Sequence, residues 1–211
     1  KGEGFGLLYY FQQRLPILIG VVLLFLMGIA FGSAAVNTLS PAQISDLNNY
    51  LKDFYLTLPQ ELAAVNRHTL AAKAAADNIL KLSGLIWVLG LTIIGVPVIL
   101  GLIFVRGFVL GFTVGFMISE LHLNGVLMAA ASLLPHNLFL IPALILAATT
   151  AISFAGSAVK TLIGTSHKSI VVHFLATTII ILFSSGLLAV ASLVEMYITP
   201  ILMQLSMRLI A

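Results

Sequence analysis

RGFVLGFTVGF, residues Arg106 to Phe116, sets a glycine at every fourth position: Gly107, Gly111 and Gly115, each followed by Phe108, Phe112 or Phe116. Four residues make about one helical turn, so the three glycines fall on one helix face. A row without side chains is a groove into which another backbone can come close. Gly28 and Gly32 repeat the spacing in an earlier apolar stretch, extended by Ser33. The pattern predicts helix–helix contact through Gly28, Gly32, Gly107, Gly111 and Gly115, either within one chain or between two copies. It is not a phosphate loop, because the lysine is missing and a helix in lipid has no free N–H groups to cradle an anion.

The rest of the chain puts that groove in a membrane. Of 211 residues, 60% are hydrophobic and 8% charged, where a soluble domain carries about 25% charge. With a mean hydropathy of +1.14, the composition predicts an all-α integral membrane protein, a single membrane domain over 1–211. The net charge of +3 is small and dispersed, which leaves no basic footprint for nucleic acid. Cysteine is absent, removing disulfides and thiolate chemistry. The chain opens on Lys1 rather than Met, so further N-terminal residues are expected ahead of it.

A crossing needs about 20 apolar helical residues. Five spans are expected, at about 16–38, 85–105, 107–119, 138–159 and 170–198. The apolar run from Gly84 to Ser119 is too long for one bilayer, and its single charge, Arg106, is taken as the divide. Val126–Leu134 is too short to cross and reads as a re-entrant or interfacial half-helix. Ile201–Ala211 reads as a short helix lying in the interface. Basic residues near the span ends favour a cytoplasmic N-terminus, with the C-terminus outside.

Residues 40–83 form the only substantial polar stretch, expected outside the membrane as a helical hairpin. Ser40–Pro41 is a good helix start. Ile44, Leu47, Leu51, Phe54 and Leu58 alternate spacings of three and four, a single seam. Pro59 is expected to restart the pattern in a second helix. The seam can close the hairpin, dock a partner, or do both.

LLPHNLFLIPALILA, Leu133 to Ala147, is the polar interruption. Pro135 disfavours helix before it, Asn137 is a competent N-cap, and Pro142 falls in the next helix's second turn. Pro135, His136, Asn137 and Pro142 therefore read as a helix break: a stop, a turn and a restart. His136 is expected to cap freed carbonyls, to meet the headgroups or to make a packed polar contact. Glu120-x-His122 is too thin for a metal motif, and Ser119 and Ser132 have no positioned base. No metal, cofactor or catalytic residue is assigned.

Gly107–Phe116, Ser132-Leu-Leu-Pro-His-Asn137, Ile141-Pro-Ala143, and Leu26-Met-Gly28 with Phe31-Gly32 together resemble the stage II sporulation protein M family. The resemblance covers nearly the whole chain in length, order of spans and placement of the outer segment. It implies a five-span protein of the bacterial cytoplasmic membrane, acting with stage II sporulation proteins D and P. Those partners degrade peptidoglycan during forespore engulfment. Members of the wider family often carry Pro-His-Gly with Glu three residues later; here those positions hold Asn137 and Leu140. That departure favours a structural role for His136.

The resulting expectation is a non-enzymatic membrane scaffold, surrounded by lipid and possible as a homodimer, that recruits wall hydrolases through its outer segment. The rival is a transporter or channel, since broken helices also build transport sites. Against it, Arg106 and Glu195 are the only charges in or at the ends of the expected spans, and no inverted repeat is evident.

Overall fold

A computed structural model of the chain describes residues 3–64, 72–73, 76–163 and 170–210. Its elements are α1 (Glu3–Ala35), a 3₁₀ turn at Val36–Thr38, α2 (Pro41–Ala64), a π-helical stretch at Asn78–Gly84 leading into α3 (Leu85–Gly90), α4 (Gly95–Leu162), α5 (Ile170–Tyr197) and α6 (Thr199–Ile210). Three stretches are long and apolar enough to cross a membrane: Arg14–Thr38, Gly95–Thr161 and Val171–Ser206.

The α4 helix is two limbs meeting at His122, whose φ of 53° and ψ of −126° are non-helical. Across this corner the limbs fold back antiparallel: Gly125 meets Met117 and Ile118, and Leu110, Val114 and Ile118 of the first limb line one cleft with Val126, Ala130 and Leu134 of the second. The first limb runs parallel to α1, because Gly28 meets Phe104 and Gly32 meets Phe108. The second limb and α5 run antiparallel, with Leu140 and Ala143 against Leu188 and Ala191. Antiparallel to α5 as well, the π-helical stretch and α3 bring Ser83 to Ser185 and Trp87 to Thr178.

Around a core of Phe25, Ile86, Ile99, Ile103 and Leu144, many of the buried positions are small or hydroxylated residues. Ala143, Ala147, Ala148, Ala151 and Ala155 of the second limb are buried, as are Ser184, Ser185 and Ser192 of α5. Lipid tails are as apolar as leucine, so burial alone gives little gain and close backbone approach has to hold the helices together. The α5 hydroxyls close on their own helix, Ser184 onto the Ile180 carbonyl and Ser192 onto Leu188, both at 3.0 Å. The large side chains Leu23, Leu26, Met27, Phe31, Leu182 and Phe183 point outward and are exposed. That apolar exterior is the inverse of a soluble protein's surface.

Four boundaries differ from the sequence reading. The helix runs unbroken through Arg106, so 85–105 and 107–119 are not separate spans; arginine is a good helix former and Gly107 is held by packing. The division falls instead at Leu91–Ile94, where Thr92 Oγ1 accepts the Gly95 N–H at 3.1 Å and donates to the Leu89 carbonyl at 3.0 Å. A Cβ at Gly95 would overlap Leu89, so this tight apolar turn needs glycine there. The second correction is at Pro135, His136, Asn137 and Pro142, which lie inside the second limb and break nothing. Asn137 donates from Nδ2 to the Leu133 carbonyl at 2.8 Å, one turn back, instead of capping a new helix. Third, the half-helix at 126–134 is the start of that same limb. Fourth, α2 continues past Pro59 as one helix. The remainder of the expected hairpin, like His68 and His167, lies wholly or partly outside the described residues.

Candidate functional site

Three features along the bundle carry polar or closely fitted groups. The first is the seam between α1 and the first limb of α4. A side chain on Gly107 would strike the Phe25 carbonyl and one on Gly111 the Ile29 carbonyl, while one on Gly115 would fit tightly against Ser33 and Val36. Gly28 and Gly32 return the contact onto Phe104 and Phe108. All five glycines singled out by spacing are thus brought into one interface within the chain. Beside it Phe108, Phe112 and Phe116 stack in a row, the last two with centroids 6.4 Å apart and planes within 4°.

The second feature is the end where α1 stops and α4 turns. Ser40 and Gln43 form a reciprocal cap at the start of α2: the Ser40 N–H donates to Gln43 Oε1 at 2.9 Å, and Gln43 N–H to Ser40 Oγ at 3.4 Å. This capping box fixes where α2 begins. Asn48 Nδ2 then donates to Glu120 Oε2 at 2.6 Å, tying α2 to the limb just before the corner. Apart from this tie, α2 touches the other described helices little. Ile44, Leu47 and Leu51 are half-buried, while Tyr50 is 80% exposed. The Phe54 and Leu58 side chains lie outside the described residues.

The corner stores strain. Positive φ with ψ near −126° is glycine territory, and holding a histidine there costs about 1–3 kcal/mol. His122→Gly is therefore expected to raise the thermal midpoint in detergent, by the equivalent of about 1 kcal/mol. A lowered midpoint would mean that the imidazole makes a compensating contact.

The third feature lies halfway along the bundle. A recess of about 130 Å³ is lined by Arg106, Thr113, His136, Asn137 and apolar neighbours including Phe25. His136 Nδ1 is buried without a hydrogen-bond partner. Thr113 Oγ1 and Asn137 Nδ2 are already spent on carbonyls of their own helix. Sequence reasoning treated Arg106 as a boundary and missed the recess; an arginine inside an apolar run, next to the first glycine of the row, was the available signal. A separate groove of about 320 Å³ holds buried Arg14 among Leu18, Thr149, Ile180 and Phe183. Among the described residues, no three His, Asp or Glu side chains gather as a metal site would require.

Comparison with known proteins follows the same outline. An uncharacterized protein of Methanocaldococcus jannaschii is 27% identical over 194 residues, covering 89% of this chain and 96% of its own. No solved structure matches. The family model for stage II sporulation protein M matches residues 21–200, from the middle of α1 through the start of α6, taking in the glycine seam, the corner and the recess. This membrane protein therefore belongs to the stage II sporulation protein M family.

Proposed function

We propose that the chain is a non-enzymatic scaffold that fixes a peptidoglycan-remodelling complex at the cytoplasmic membrane during forespore engulfment. Its partners in this reading are stage II sporulation proteins D and P. The observation that carries it is α2: a capped helix, tied to the bundle by Asn48–Glu120, that leaves Tyr50 and its flanks open. A bundle sealed by close backbone packing holds such a helix at a fixed place. Tethering partners there raises their effective concentration without any chemistry by the scaffold itself. Because α1 and the first α4 limb run parallel, the chain between them returns across the membrane in this reading by a segment longer than α3 itself; with α1, the two limbs and α5 that makes five passes. With the N-terminus inside, α2 and the His122 corner face the outside, where peptidoglycan lies.

The test is crosslinking and co-purification from native membranes, comparing the natural chain with Leu47→Asp/Tyr50→Asp. The expected result is loss of both hydrolase partners while the thermal midpoint of the bundle holds. Retention of both partners by the variant would remove α2 as the recruiting surface.

A further inference from the structure

Arg106 and Glu195 are charges that the bundle places in its apolar depth without satisfying them. Gly107 packs on the Phe25 carbonyl and the Ile29 nitrogen, near the middle of the apolar stretch Arg14–Thr38. Arg106 therefore stands about 16–20 Å from either end of that stretch. It is exposed at the rim of the recess, and neither an ion pair nor a hydrogen bond to any described residue reaches it.

Glu195 lies at the matching level on α5. Leu188 and Ala191 cluster with Leu140 and Ala143, and Phe174 meets Phe154 further along the same antiparallel pair; Glu195 is one turn beyond Ala191, and His136 is one turn before Leu140. Glu195 and His136 thus share a level, and His136 lines the same recess as Arg106. Glu195 is exposed and likewise has no ion pair among the described residues. A lone cation and a lone carboxylate at similar depth are each costly in hydrocarbon, and intramembrane charges are characteristically paired.

We propose that copies of this chain associate side by side in the membrane, Arg106 of one pairing with Glu195 of its neighbour. Any rotation about the membrane normal preserves depth, so a closed ring or pair of copies around such an axis brings the two levels together. The glycine seam takes no part, since α1 fills it within each chain. This association stands apart from recruitment by α2 and can hold or fail without it.

The experiment is energy transfer between copies of the full chain in liposomes, each labelled at one introduced cysteine, the natural chain having none. Arg106→Glu and Glu195→Arg are each expected to weaken association by about tenfold or more. The double reversal, Arg106→Glu/Glu195→Arg, is expected to restore it. Thermal midpoints confirm folding, and Arg106→Leu, which removes the buried-depth charge without adding another, supplies a second loss-of-pair variant. The proposal is overturned if the natural chain stays monomeric at all lipid ratios. Unchanged association of a folded Arg106→Leu, or folded single reversals that the double reversal does not rescue, would overturn it too. Capture of a different protein's membrane-borne carboxylate at Arg106, with the natural chain monomeric, would overturn it in favour of that partner.

Discussion

Gly111→Leu is expected to disrupt the bundle more than any exchange on its surface. A Cβ at this position would overlap the Ile29 carbonyl oxygen and stand 2.7 Å from Ile29 C and Cα. These are backbone atoms, so no rotamer change makes room; α1 and the first limb must part. Parting them undoes the contacts of Gly28, Gly32 and Gly107 together, because all lie on one seam. Overpacking a tight core costs about 1–3 kcal/mol and sometimes more, and here the upper end applies. The measurement is the thermal midpoint in detergent, with Gly101→Leu as the matched control. Nothing lies within 4 Å of a Cβ at Gly101, so that exchange adds the same side chain at no steric expense. Equal midpoints for the two variants would show that the seam does not hold the bundle.

Gly125→Ala is the second large effect, and it comes from a single methyl. At the His122 corner the second limb folds back so closely that a Cβ on Gly125 overlaps the Met117 carbonyl oxygen. It also lies 2.6 Å from Met117 C and 3.0 Å from Ile118 N. Even alanine must force the two limbs apart at their joint, at about 2–3 kcal/mol. The corner thus holds two opposite expectations three residues apart: removing a side chain at 122 stabilises, while adding one at 125 destabilises. A Gly125→Ala midpoint equal to the natural one would mean that the limbs do not approach as closely as this geometry requires. Asn48–Glu120 sits directly beside the joint, so amide exchange in α2 should rise as well when the corner opens.

Much of this architecture could be read in advance because it rests on spacing. The glycine row, the start of α2 at Ser40 and the long apolar runs of α1 and α5 all follow from period and cap chemistry. The family assignment agrees with the motifs around Gly107–Phe116 and Pro135–Asn137. The corners were harder to read, for two physical reasons. At Leu91–Ile94 the turn is made of apolar residues and one threonine, so it carries no polarity signal; Gly95 and Pro97 were its traces. At His122 the Asn124–Gly125 pair is a standard turn signal, but the prolines downstream promised a stronger break. Those prolines stay helical because the limb is embedded among neighbours, where a missing N–H is tolerated. The recess was hidden for a related reason. A charge inside an oily run reads as a boundary, until the helix is seen to pass through it and leave the charge at the rim of the recess.

The parallel pairing of α1 with the first limb has a consequence for how the protein is made. The glycines on α1 meet partners that begin near residue 104, and α2 and α3 are synthesised in between. At a synthesis rate of about 5–20 residues per second, α1 waits roughly 4–15 seconds in the bilayer with its grooved face uncovered. The contact that holds the bundle most closely is thus one that insertion order delays, and a factor shielding a glycine-faced helix in nascent membrane would act in that interval.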